Sequence, residues 1–273
     1  MDDFRITEAN GIATLTLTRP QQSNALTLDF WRDFPTAIQQ LDATGATRAL
    51  IIVGEGRNFC AGMDLSVFTA GSTMKPDHAA GRAHFYETAR LMQDALARLE
   101  HARFPVIAAI QGACVGAGLE LAAACDLRFA ASDSYLKIAE IDIAMMADLG
   151  ALQRLPKLLP DAVVKQMAYT GYALPALRAE ALGFINATEA DAAGALQLAH
   201  EAAKAIAARA PLAIAGSKDS LLYARDHSVA QSLERAGWMQ AAIWNTEDIT
   251  AAITARATKS APHFKNLLPR AKI

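Results

Sequence analysis

The stretch Gln111–Asp126, QGACVGAGLELAAACD, constrains this chain more than any other. It follows Phe104–Ile110, FPVIAAI, an apolar run of the length of one buried strand. Gly116-Ala117-Gly118 then removes side-chain bulk where a strand must turn into a helix, and LELAAACD reads as the helix start. Such a turn presents unpaired N–H groups at a helix N-terminus, ready for a negative oxygen. Glu120 falls in the first helical turn, and Glu140 and Asp148 follow downstream. An oxyanion site beside carboxylates points to proton chemistry next to a carbonyl.

Taken alone, the turn has two other readings. It is half of a dinucleotide fingerprint with Glu140 at the acidic spacing, but Leu121 stands where a third small residue belongs, and the unit is mid-chain. It is equally a tight strand-to-helix turn with no ligand. A second segment bears on the choice. Ala49–Val53, ALIIV, is another short buried strand, and Asn58–Leu65, NFCAGMDL, carries the small pair Ala61-Gly62 after it, with Asp64 and Leu65 opening the next segment. Two turns at equivalent places can aim two N–H groups at one oxygen. Cys60 reads as a small apolar filler, because no nearby histidine or cysteine would activate it.

The flanking text alternates strand and helix. Gly11–Thr18 alternates apolar and polar residues as a strand, ended by Arg19-Pro20. Thr27–Leu41 has helical spacing, with Leu28, Trp31, Phe34, Ile38 and Leu41 on one side. Residues 66–82 read as a mobile loop, Phe85–Glu100 as a helix and Tyr135–Ile138 as a strand. The predicted class is α/β with a largely parallel sheet over residues 1–195. Residues 196–273 are alanine-rich helical text without a strand signal, read as an oligomerisation region.

Composition narrows the function. The 273 residues are 52% hydrophobic with a net charge of −2, enough apolar mass for a large core and no basic field for nucleic acid. No apolar run is long enough to span a membrane. Cys60, Cys114 and Cys125 lack metal-ligand spacing and the histidines form no HExxH pair, so no metal is expected. An odd cysteine count fits a reducing compartment, and MDDF at the start and AKI at the end carry no address motif, so a cytoplasmic protein is expected.

In combination, RPQQSNALT, NFCAGMDL, PVIAAIQGACVGAGLELAAACDLRFA and LGALQRLPKLLP resemble the crotonase superfamily of enoyl-CoA hydratases and isomerases, over nearly the whole chain. The resemblance implies a spiral of ββα turns followed by helices that build a homotrimer, commonly paired into a hexamer. It implies an acyl-CoA thioester substrate, with coenzyme A entering as part of it and no separate cofactor. It places the thioester oxygen on the backbone N–H groups of Met63 and Ala117, the latter where the family usually has glycine. It assigns Asn24, Ala25, Ala61, Gly62, Asp64, Leu65 and Gly116 to the binding of substrate and CoA.

Within the superfamily, EIDIAMMADLGALQRLPK, GSKDSLLYARDHSV and the Phe30-Trp31-Arg32 text are similar to Δ3,5-Δ2,4-dienoyl-CoA isomerases. There the equivalents of Glu140 and Asp148 move protons at opposite ends of a diene, and an acid, usually aspartate, stands at the position of Glu120. Glutamate at 120 is the hydratase residue. The second reading is therefore an enoyl-CoA hydratase that activates water with Glu120 and Glu140. A non-catalytic acyl-CoA-binding relative is a third. Asp148 lies in apolar text where an idle carboxylate would be costly, which favours a functional role. Asp126 reads as structural, paired with Arg128 or capping a turn, and Arg154 likewise. Met145, Met146, Trp238 and Trp244 read as packing residues.

Overall fold

The computed structural model describes residues 3–68 and 78–271. The chain opens with a hairpin. β1 (Phe4–Ala9) pairs antiparallel with β2 (Ile12–Leu17) across Asn10-Gly11, both at positive φ as such a two-residue turn requires. Ala13, Leu15 and Leu17 are buried and alternate with half-buried threonines, so β2 turns one face to the core. Thr27 then caps α1 (Leu28–Thr44) by accepting the Phe30 N–H at 3.2 Å. Trp31, Phe34, Ile38 and Leu41 are buried as their spacing predicts; Leu28 is exposed in the first turn, and Phe30 takes its place in the core.

The remaining elements follow as strand–helix units. They are β3 (Ala49–Gly54), α2 (Ala79–His101), β4 (Val106–Ile110), β5 (Ala113–Val115), α3 (Ala117–Ala123), β6 (Leu127–Ala131) and β7 (Tyr135–Lys137). Then come α4 (Ala151–Arg154), α5 (Asp161–Thr170), β8 (Leu174–Pro175), α6 (Ala176–Ala181) and β9 (Ala187–Glu189). The chain ends in α7 (Ala192–Ala207), α8 (Pro211–Asp226), α9 (Val229–Ala242) and α10 (Thr246–Thr258). α2 starts earlier than its apolar spacing suggests, because His78 caps it by accepting the Gly81 N–H at 3.0 Å. Of the expected loop over 66–82, residues 69–77 lie outside the described residues.

The main sheet runs β1-β2-β3-β4-β6-β9 and is parallel from β2 onward. Parallel strands need both faces covered. Leu50, Ile52, Ala108 and Ile110 share one core with α1 and α2, while Ile51, Ile107 and Ala109 pack on Ala199 and Ala203 of α7. The alanine-rich text is thus first a layer on the sheet, and position 195 falls inside α7. A smaller sheet, β5-β7-β8, pairs β5 with β7 in parallel. α8 is tied to the core by a buried cation: Lys218 Nζ donates to Leu99 O (2.7 Å), Phe104 O (2.9 Å) and Asp126 Oδ2 (2.7 Å). Asp126 is structural, but its partner is Lys218 rather than Arg128. Arg128 instead donates to the carbonyls of Phe184 (2.7 Å) and Cys125 (2.6 Å). Trp238 and Trp244 do not pack inside the chain; they are 75% and 65% exposed. Among the described residues no helix is long and apolar enough to cross a membrane.

One close approach sets the site. α3 lies so near the 58–63 segment that a Cβ on Gly118 would sit 2.6 Å from Cys60 Cβ and 2.7 Å from Cys60 O. Cys60 is fully buried, as a filler should be. Gly118→Ala must push the helix off this segment, a loss of about 1–3 kcal/mol typical of overpacking. We expect a lower denaturant midpoint for Gly118→Ala, with no rescue by Cys60→Ala, which keeps the Cβ and the carbonyl. An unchanged midpoint would contradict the contact.

Candidate active site

The two small-residue turns are locked side by side by a short parallel ladder. Phe59 N–H donates to Gln111 O (2.7 Å), Cys60 N–H to Ala113 O (3.0 Å), and Val115 N–H to Cys60 O (2.9 Å). Asn58 Oδ1 accepts the Ala113 N–H at 3.0 Å and adds a side-chain rung. On the far side Leu26 N–H donates to Gly62 O (2.8 Å), and Asp64 N–H donates to Leu26 O (2.9 Å). Gly62 and Gly116 both have positive φ, and a Cβ on Gly62 would lie 3.0 Å from Val115 O and 3.4 Å from Ala117 N. The turns therefore touch. The N–H groups of Met63 and Ala117, which follow them, donate to no described residue.

Both turns open into one cavity of about 460 Å³, a size that suits a small-molecule ligand. Ala61, Gly62, Met63, Asp64 and Leu65 line it from one segment, and Gly116 and Ala117 from the other, with Ala25 at the side. Glu120, Glu140 and Asp148 reach the same space from three different segments. So the expected site residues converge, with one exception. Asn24 does not line the cavity. It is 1% exposed, and its Nδ2 donates to Glu55 O (3.0 Å) and Asn58 O (2.8 Å) while its Oδ1 accepts the Arg19 N–H (3.0 Å). Its amide fastens the wall that Ala25 forms. Asp64 does line the cavity, but Ser66 Oγ and N (2.7 and 3.1 Å) and Arg19 Nη2 (2.9 Å) occupy its carboxylate and hold it below its usual range.

The three carboxyls are displaced the other way. Burial, then the nearby Glu140, push Glu120 up to about 8, against the pull of backbone N–H donors. Burial is the largest cause of an upward shift at Glu140 and at Asp148 too. Glu140 Oε2 is buried without a partner among the described residues, and Glu140 Oε1 is 3.1 Å from where a Cβ on Gly116 would be. A side chain at 116 would block that approach, which is the local reason for glycine there. Carboxyls displaced upward in an apolar cavity hold their protons more tightly than free ones, and such displacement is characteristic of active sites.

Sequence reasoning missed several contributors. Met145 lines the cavity with Ile143 and Phe68, whereas Met146 is exposed, so neither is simple packing. Gln93 on α2 donates to Asp148 O at 2.7 Å, and Arg154 donates to Leu149 O at 3.2 Å while pairing with Glu100 at 2.6 Å. Those partners lie far apart along the chain, and no spacing rule connects them.

A family model described as enoyl-CoA hydratase/isomerase matches residues 7–267. The chain is 34% identical to the peroxisomal Δ(3,5)-Δ(2,4)-dienoyl-CoA isomerase of Arabidopsis thaliana, over 93% of this chain and 92% of that protein. It is 30% identical to the mitochondrial Δ(3,5)-Δ(2,4)-dienoyl-CoA isomerase of Rattus norvegicus, over 94% of this chain and 80% of that protein. The crystal structure of enoyl-CoA hydratase from Bacillus anthracis superposes with a TM-score of 0.87 at 26% identity, covering 96% of this chain and 99% of that one. The fold is that of the crotonases, and by the extent of these matches the chain belongs to the enoyl-CoA hydratase/isomerase family.

Proposed function

We propose that this cavity converts a 3,5-dienoyl-CoA into the conjugated 2,4-dienoyl-CoA. The observation that carries the reading is Asp148, an acid facing the same apolar cavity as Glu140 from further along the β7–α4 connection, with its carboxyl pushed up by burial. The names of the isomerases in Arabidopsis and rat support it. The thioester oxygen accepts from the N–H groups of Met63 and Ala117. Glu140 takes the α-proton, the dienolate charge rests on the thioester oxygen, and Asp148 delivers a proton to the ε-carbon as both double bonds shift. Glu140 ends protonated and Asp148 ionised, and exchange with solvent resets the pair. One preorganised donor is worth about 2.7–4 kcal/mol in such a transition state. No cofactor is needed, since coenzyme A is part of the substrate. We place the enzyme in the cytoplasm, a reading supported by three free, buried cysteines. A second reading, hydration of a 2-enoyl-CoA by Glu120 and Glu140, is favoured by the glutamate at 120 and by the likeness to a solved hydratase.

We also infer a homotrimer, or a pair of trimers. Leu221, Leu233, Trp238, Trp244 and Ile253 on or beside α8–α10 are each at least 65% exposed, an apolar surface that a second copy would cover. Light scattering at micromolar concentration should give three or six times the chain mass; a monomer removes this inference.

Glu140→Gln should lower isomerisation by roughly 10²–10⁴-fold, the usual share of a general base, with acyl-CoA affinity nearly unchanged. In the wild type, exchange of the α-proton with solvent should rise with pH through a value above the ordinary glutamate range, because only the ionised carboxylate accepts and burial raises its pKa. A variant that keeps more than about a tenth of the wild-type rate would remove Glu140 as the base.

Asp148→Asn separates the two reactions. Diene isomerisation should fall by about 10²-fold or more, while α-proton exchange persists through Glu140. Wild-type protein that hydrates a 2-enoyl-CoA, leaves the diene untouched and is indifferent to Asp148→Asn would establish the hydratase reading instead.

A further inference from the structure

Asp148 belongs to no helix or strand; it lies between the short turn Glu140–Ile143 and α4. Its carboxyl is therefore aimed by whatever holds the loop. Gln93 Nε2 donates to Asp148 O, and Arg154 Nη1 donates to Leu149 O. The other two bonds end on one atom. The N–H groups of Leu149 and Ala151 donate to Glu120 Oε1 at 3.0 and 3.1 Å. The Leu149 N–H belongs to the peptide that directly follows Asp148, so this oxygen grips the plane from which Asp148 projects. Glu120 itself is 1% exposed and stands on α3, the helix that begins with Ala117. One short helix thus carries an N–H group for the thioester end and the anchor for the remote acid.

We propose that Glu120 is a positioning residue: through two backbone hydrogen bonds to Oε1 it fixes Asp148 at the distance from the thioester that the diene requires, and it carries no proton in isomerisation. The inference rests on the isomerase reading and adds to it the role of the third acid. An oxygen that accepts two N–H donors has both lone pairs engaged. The role needs an acceptor, not a charge. An amide oxygen provides the same two bonds, and burial already favours the neutral form of Glu120, whose carboxyl is pushed up to about 8. Had Glu120 been half of a water-activating pair, an amide could not replace it.

The test compares wild type, Glu120→Gln and Glu120→Ala on a 3,5-dienoyl-CoA, with α-proton exchange followed on the same samples and folding checked by thermal melting. Glu120→Gln should keep about a third or more of the wild-type kcat, and Glu120→Ala should lose about tenfold to 10²-fold in kcat with little change in KM, as expected for a misplaced catalytic group. Exchange should stay within about threefold of wild type in both variants, because Glu140 and the two N–H groups do not hang on the loop. A Glu120→Gln variant that folds but is inert on the diene overturns the proposal alone, and so does a fully active Glu120→Ala. Loss of exchange in parallel with isomerisation also overturns it, since the defect would then not be at the remote end. If Glu120→Ala does not fold, the glutamine variant decides by itself. Wild-type protein without activity on the diene overturns the isomerase reading and this proposal together.

Discussion

The register between the 59–61 segment and β5 is the constraint on which the site depends. Three backbone hydrogen bonds set it, and the absent side chain of Gly118 lets α3 close against Cys60. Shifted by one residue, the ladder would turn Cys60 out of the core and carry Ala61-Gly62 away from Gly116. The main sheet serves this arrangement at a distance. β3 and β4 are buried on both faces, so the chain leaving each of them starts from a fixed point, and both turns begin there.

A second consequence of that arrangement is electrostatic. Gathering Glu120, Glu140 and Asp148 around one apolar space raises the cost of ionising each. Among the described residues no cation pairs with them; Arg19 is engaged with Asp64 and Arg154 with Glu100. Asp64, on the same cavity wall, shows the contrast: with Ser66 and Arg19 as partners its pKa falls, and it behaves as a structural acid.

Much of this was legible in the sequence where the signal is local. β2, α1, β3, β4 and the Gly116–Gly118 turn were readable from alternation, helical spacing and small residues, and the acids at 120, 140 and 148 stood out by type and context. What was hidden is either short or remote. β5, β8 and β9 span too few residues to show a period. Lys218 and Asp126, or Gln93 and Asp148, meet only once the sheet is built. Asn24 was assigned to substrate binding by resemblance alone; its amide instead bonds three backbone groups, a role that polarity alone does not announce. Leu28 was misplaced because periodicity cannot tell a first-turn residue from the next one along.

The N–H groups of Met63 and Ala117 belong to the main chain. Replacing a side chain at either position leaves the donor in place, so long as the turn keeps its shape. Ala117 is an instance: it carries a methyl group and still presents its N–H at the start of α3. Heritable variation therefore has little purchase on these two donors, while each acid around them can be exchanged by a single codon change. A lineage built on this frame would diversify by moving carboxyls and keep the same pair of main-chain donors.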